Sequence, residues 1–413
     1  MKLRIFPLLL ALFASQLHAE ETICSNQVLI FDDAVSKVLS GSPLLKISER
    51  TIRMTEGEKI QSRLLPNPVA AWSVENVFGN HNWKGWESAE SRYVISQLVE
   101  LGGKRTYRSS VAQFQYYSAQ AGYEASKIEM LNRLMKLFVI AAATQEELRI
   151  NFDQYGVAKE VLDSVIKKVE AGKVSIIEKN KAEISLTNAA IHLEKTKYEF
   201  VAAKDKLALL WGSTCPDFEW ISYPFYDLEE PQSLCACLED VRSNPVLAKS
   251  SMDYMTARQN LNLAESYAVP DVVFSVGYKT LQDTHDQGMI LGAEIPLPIF
   301  NRNQGNIYKA KAEIARSKEE YRQVLIILEN RLILAHRQLM QAYGEAQQYK
   351  KLLESGESSF ELARMGYQEG KFEYLDVLDA QRTLFEIRER FIYSLVEYHQ
   401  RKADIAFLTN RVD

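Results

Sequence analysis

The sequence predicts a mainly α-helical protein with a membrane β-barrel. Two structural repeats build it, each with two transmembrane strands and a long coiled helical hairpin. Three observations predict this. The chain has 413 residues and 11 prolines, yet none falls in 69–215 or in 299–413. Landmarks of the first half recur about 200 residues later in the second, and a repeat at fixed spacing marks duplicated architecture. Four short segments alternate apolar and polar side chains, the period of a sheet with two different faces.

Composition narrows the function classes. With 46% apolar residues, 25% charged residues and a net charge of −5, the chain is not a disordered tail, a collagen-like repeat or a basic nucleic-acid binder. Mean hydropathy is −0.22. A single noticeable apolar run, near the N-terminus, argues against a helical membrane protein.

Residues 1–19 read as a signal peptide: Lys2 and Arg4, an apolar stretch over 5–13, then Leu17, His18 and Ala19 before the expected cleavage. That stretch is too short to span a bilayer, so the mature chain is expected to be exported. Export permits disulfides. Cys215 with Cys235 or Cys237 would close a loop of about 20 residues, worth roughly 3 kcal/mol in the chain-entropy picture. A structural bridge is favoured over a metal site, because no histidine lies near the Cys-x-Cys pair. Cys24 follows Glu21, Thr22 and Ile23. These are not the small residues expected before a lipidated cysteine, so an acyl anchor is not favoured.

The halves span 20–212 and 237–413, joined by a linker over 213–236. Ser42 and Pro43 recur as Asn244 and Pro245, and Pro68 as Pro270, 202 residues on. Ala171, Gly172 and Lys173 recur as Glu369, Gly370 and Lys371, 198 residues on. The slip of four places a loop of different length in each half. Strands are expected over about 69–78, 92–101, 271–279 and 289–297. In the first, Trp72 and Val74 oppose Ser73 and Glu75; in the second, Tyr93, Ile95 and Val99 share a face that Gln97 interrupts. In the third, Val272, Phe274, Val276 and Tyr278 align, and in the fourth Met289, Leu291 and Ala293. About ten residues is the length of a tilted transmembrane strand.

The proline-free windows predict helices over about 103–170, 174–211, 302–368 and 373–410. The longer two would reach ~100 Å at 1.5 Å per residue. Sevenfold steps mark coiled seams: Ile307, Ile314, Tyr321 and Leu328; Leu325, Leu332 and Leu339; Leu186, Leu193, Phe200 and Leu207; Val377, Leu384, Phe391 and Tyr398. Leu378, Phe385 and Ile392 form a second seam in the last helix. A helix with two seams packs on both sides, which suits the wall of a tube. Four strands leave two open edges, and hydrocarbon does not tolerate a bare edge. Several copies must then share one barrel.

With these features the chain resembles the TolC-like outer-membrane efflux proteins over nearly its whole mature length. The motif over 366–370, Gly-Tyr-Gln-Glu-Gly, followed by Asp-Val-Leu-Asp-Ala over 376–380, is similar to the family's tip sequence. Residues 96–105 and 296–305 look like the heavy-metal (cobalt–zinc–cadmium) efflux branch. The resemblance implies a homotrimer with a shared 12-stranded barrel in outer-membrane lipid and a 12-helix tunnel through the periplasm of a Gram-negative-type envelope. It further implies docking to a periplasmic adaptor protein and an inner-membrane pump of the resistance–nodulation–division type. The duct itself would be passive, its cargo metal cations. The same duct could serve drug efflux or type I protein secretion. A periplasmic helical-hairpin adaptor or structural protein is a different class, against which the duplicated strand order speaks. No catalytic, cofactor or metal constellation is found: the six histidines are scattered without HExxH spacing.

The resemblance also supplies site residues. Asp376 and Asp379 match the two aspartates that line the constricted tip. Three apart, they share a helix face, and three copies would set six carboxylates around one aperture, attracting cations. Without the resemblance, the pair would be read as capping the last helix. Tyr367 matches a tethering tyrosine, and Glu178 stands where the family has an aspartate accepting its bond. The family's nearby arginine is replaced by Phe372, with Lys371 adjacent. Gly172 and Gly370 mark the hairpin turns.

Overall fold

The computed structural model describes residues 27–83 and 85–411. The expected signal peptide and Cys24 lie outside the described residues. In the first half, β1 (Val28–Ile30), α1 (Phe31–Gly41) and α2 (Pro43–Ser62) precede β2 (Val69–Glu75) and β3 (Glu90–Val99). Then come α3 (Lys104–Glu170) and α4 (Ile176–Leu210). The linker holds β4 (Trp220–Ser222) and runs into α5 (Leu234–Asp240). The second half follows with α6 (Pro245–Ser266), β5 (Val272–Leu281), β6 (Gln287–Glu294), α7 (Gln304–Gln368) and α8 (Tyr374–Thr409).

The strands are offset by a few residues from the expected spans, and local chemistry accounts for it. Asn76 adopts a positive φ of 62° and ends β2. At the far end of β3, the Leu101 amide donates to Asp271 Oδ1 at 2.9 Å, so a side chain takes over from the ladder. Gly102 and Gly103 then carry φ of 68° and 76°, which only glycine adopts freely. A Cβ on Gly102 would lie 2.8 Å from that of Val269. Asn303 makes the matching left-handed turn, φ 60°, before α7.

The helices form a wall that is four wide at every level. Near the sheet the packing order is α2, α3, α6, α7; toward the tips it is α4, α3, α8, α7. The long α3 and α7 therefore run the full height, while α2 stacks end to end on α4 and α6 on α8. The sequence reading placed one hairpin per half and missed this stacking. Pro43 and Pro245 open α2 and α6 at the first helical position, where a missing N–H costs nothing. Asn244 joins α6 to α8. Its Oδ1 accepts from Val246 N at 2.9 Å, while Nδ2 donates to the Phe407 and Leu408 carbonyls at 3.1 and 3.2 Å. One fully buried side chain thus satisfies the start of one helix and the end of another.

The seams are buried in part: Ile307, Ile314, Tyr321, Leu325 and Leu186 are only half-buried. Val377, Leu384, Phe391 and Tyr398 are all buried, as are Leu193, Phe200 and Leu207, and Leu328, Leu332 and Leu339. Burial of each such side chain contributes about 1.5–3 kcal/mol.

The linker crosses from the first half to the second. β4 pairs in parallel with β1, and beyond it Tyr223 and Phe225 reach α8. The hydroxyl of Tyr223 lies 2.9 Å from His399 Nδ1, and His399 Nε2 lies 2.9 Å from the Phe225 carbonyl. This course corrects the disulfide expectation: Cys215, Cys235 and Cys237 are free. Cys237 is buried with Val241, Leu247, Leu328 and Leu332 of the second half. Cys215 is exposed in the turn after α4, its carbonyl accepting from Ser213 Oγ. The segment between them is stretched across the halves instead of closed into a loop.

Burial holds the His399 imidazole below its usual pKa. As pH falls below about 6.5 the unfolded chain binds the proton first, so stability is lost with falling pH and complete above it. Detergent-solubilised protein should melt at lower temperature at pH 5 than at pH 7. The difference should shrink in His399→Gln, and identical pH profiles for the two would contradict the assignment.

Candidate functional site at the sheet and the hairpin tips

The sheet order is β2-β3-β5-β6, antiparallel throughout, and within one chain β2 and β6 are its edges. Register aligns apolar side chains on one face in rows. Trp72, Tyr93, Tyr278 and Met289 are cross-strand partners, and so are Ala70, Ile95, Val276 and Leu291. Trp72 stacks on Tyr93 at 6.4 Å. These large side chains are mostly exposed in the single chain. Gln97 interrupts this face only at the helix end of the sheet, where its amide donates to the Pro66 and Leu98 carbonyls at 2.9 Å.

The opposite face carries the charge. Arg92 lies 3.3 Å from Glu75 and 3.0 Å from Glu90, and Lys279 is 3.5 Å from Glu90. This cluster sits at the end of the sheet farthest from the helices. One face is thus apolar and the other charged, with two edges left to pair. In hydrocarbon such a sheet is complete only when closed into a barrel. The charged cluster was not singled out from sequence, because its members are distant in the chain and meet only through strand register.

At the other end, both hairpins turn by the same device. Gly172 and Gly370 carry φ of 69° and 76°. Lys173 N donates to Lys168 O at 2.9 Å and Gly172 N to Val169 O at 2.9 Å. In the second half Lys371 N donates to Gly366 O at 2.8 Å and Gly370 N to Tyr367 O at 3.2 Å. These are paired Schellman closures. The tips share one core, in which Val165 of α3, Ala182 of α4, Tyr367 of α7 and Tyr374 and Val377 of α8 are buried.

Tyr367 and Glu178 meet across the hairpins. The tyrosine hydroxyl donates to Glu178 Oε2 at 3.4 Å, a long hydrogen bond. Burial, reinforced by the Glu178 charge, pushes the Tyr367 phenol up to about 12, so it stays a donor at any physiological pH. Asp376 and Asp379 are both exposed on the first turns of α8. Asp376 also caps its own helix: Oδ2 accepts from Glu373 N at 2.9 Å, and the Glu373 side chain returns the bond to the Asp376 amide. Lys371 pairs with Glu369 at 2.6 Å on the surface, and the Phe372 ring packs onto Gly366, where a Cβ would collide with it.

Above the tips, a groove of about 720 Å³ runs between α4 and α8 with α3 as its floor. The second seam, Leu378, Phe385 and Ile392, lines it. Glu147 lies in its floor, its carboxyl raised by burial and then by Glu199 and Glu389, with Lys195 opposing.

An open-edged sheet with one apolar face, continuous with a wall of coiled helices, defines a subunit of an outer-membrane conduit. Residues 79–213 and 241–411 match the sequence model of the family described as outer membrane efflux protein, and the chain belongs to that family. It is similar to the cobalt-zinc-cadmium resistance protein CzcC of Cupriavidus metallidurans, 28% identical over 93% of this chain and 90% of that one. It is also similar to the cation efflux system protein CusC of Escherichia coli, 23% identical over 77% of this chain and 73% of the other. The fold superimposes on crystal structures of CusC, with a TM-score of 0.76, 18% identity and coverage of 92% and 91%. It matches VceC of Vibrio cholerae with a TM-score of 0.77, 16% identity and coverage of 92% and 95%. The fold is that of the TolC-like channels.

Proposed function

We propose that this chain is one of three identical subunits of a passive exit duct for metal cations. Three copies of a four-stranded sheet and a four-helix wall give 12 strands in the membrane and 12 helices at every level of the tunnel. The duct receives its cargo from an inner-membrane pump of the resistance–nodulation–division type through a periplasmic adaptor. The observation that carries the reading is the sheet, with an apolar face and two edges that only further copies of the chain can pair. The similarity to CzcC and CusC supports metal cations as cargo. At the tip, Asp376 and Asp379 form the carboxylate ring of the gate, and Tyr367 with Glu178 forms its tether. Asp376 serves both roles, since capping engages one carboxylate oxygen and leaves the charge at the aperture.

Deletion of the gene tests the cargo. The strain should become sensitive to cobalt, zinc or cadmium salts, with sensitivity reversed by the intact chain supplied in trans. Unaltered metal tolerance, with loss of tolerance to drugs instead, would overturn the metal assignment while leaving the duct. Recovery of the protein as a soluble periplasmic monomer would overturn the duct.

A further inference from the structure

We propose that Lys168 is the cation of the tip latch: from α3 it clamps the last turn of α7 and positions Tyr367 toward Glu178. The proposal deepens the channel reading and rests on it. Lys168 Nζ lies 2.5 Å from the Tyr367 carbonyl oxygen and 3.6 Å from the centroid of the Tyr367 ring. One ammonium thus holds both the backbone and the ring of the tethering residue. Tyr374 packs on the ring from α8 at 5.7 Å. Tyr367 is 5% exposed, so the ring has little room to turn, and its hydroxyl is kept on Glu178 of α4.

Helix electrostatics explains why a cation belongs there. Both α3 and α7 end at the tip and share its core, so the negative ends of two helix dipoles converge there. The Tyr367 carbonyl is one of the last of α7 and already accepts from Gly370 N. The Lys168 ammonium, reaching across from α3, offsets both ends and bonds a terminal carbonyl. The position is fixed from behind, because the Lys168 carbonyl itself accepts from Lys173 N in the Gly172 turn. The surroundings are tight: burial lowers the Lys168 pKa, Glu178 opposes that shift and Lys173 adds to it.

Among the described residues the clamp has no counterpart in the other repeat. The residue 198 positions after Lys168 is Gly366, and there the Phe372 ring occupies the space a side chain would need. Lys371, beside that ring, turns away to Glu369. The cation beside the second turn comes from the first hairpin. Separating the hairpins must break the Lys168 contact, so the clamp holds the tip closed.

Single-channel recording of the purified full-length protein in planar bilayers tests this. Lys168→Met should raise the open-to-closed ratio about tenfold, the scale of losing a charge-assisted hydrogen bond and a cation–π contact. Lys168→Arg should restore wild-type gating. The Lys168→Met effect should shrink when Tyr367 is already Phe. Wild-type closed lifetimes in Lys168→Met, or an equal effect in both Tyr367 backgrounds, would overturn the clamp. If Lys168→Met fails to assemble as a heat-sensitive oligomer, Lys168→Gln gives the same reading, since it keeps a donor without the charge. A wild-type protein that does not conduct would overturn the channel reading, and the clamp with it. A conducting wild type with unmoved variants overturns the clamp alone.

Discussion

Val276→Arg is expected to remove the protein from the outer membrane. Val276 lies on central strand β5, in the apolar row with Ala70, Ile95 and Leu291. A guanidinium facing hydrocarbon near the bilayer midplane costs about 2–4 kcal/mol per chain, and three copies would carry it. Ser275, the adjacent residue, points to the opposite face, so Ser275→Arg should be tolerated as a lumenal substitution. Heat-sensitive oligomer in outer-membrane fractions measures both. Normal assembly of Val276→Arg, or equal failure of both variants, would show that the apolar face does not meet lipid.

The second large effect is expected at the gate. Asp376→Asn combined with Asp379→Asn should weaken block by multivalent cations about tenfold and move the reversal potential toward non-selectivity, because charged rings set pore selectivity. Asparagine is chosen because its oxygen can still accept from the Glu373 amide, preserving the cap while removing charge. Alanine at the same positions would confound gating with loss of the capping-box bond. Unchanged block and selectivity in the double variant would reduce Asp376 to a helix-capping residue.

Strands and long helices were legible because each imposes a period that survives in one dimension. Trp72 and Val74 alternate with Ser73 and Glu75 across a pleat, and Val377 to Tyr398 step by seven along a seam. The turns were legible too, since Gly172 and Gly370 sit where left-handed backbone is required. The β1–β4 pair was not legible, because three-residue strands carry no period. The cysteines misled because spacing says nothing of a linker's direction: Tyr223 and Phe225 carry it away to His399. Lys168 was invisible because it meets Tyr367 across 199 residues of chain, and its neighbours Lys167 and Lys173 look identical in sequence. Stacking of α2 on α4 escaped for the same reason, since it depends on where Gly41 meets Trp211.

The duplication also sets the two hairpin tips apart. By the offset of 198, Glu178 corresponds to Asp376 and Lys181 to Asp379. The first hairpin thus presents an acid and a base where the second presents two acids. In the first hairpin the helix-start carboxylate, Glu178, accepts from Tyr367 across the interface; in the second, Asp376 closes its own capping box. The two repeats thus share a backbone turn but use the matching carboxylate differently, one as an acceptor for Tyr367 and the other in a capping box.

The most direct test of a duct closed at one end is the sidedness of current block in planar bilayers. Wild-type protein inserted in one orientation should pass a small cation-selective current that multivalent cations block only from the side facing the hairpin tips. Absence of current, or equal block from both sides, would contradict a gate built from the tips of α7 and α8.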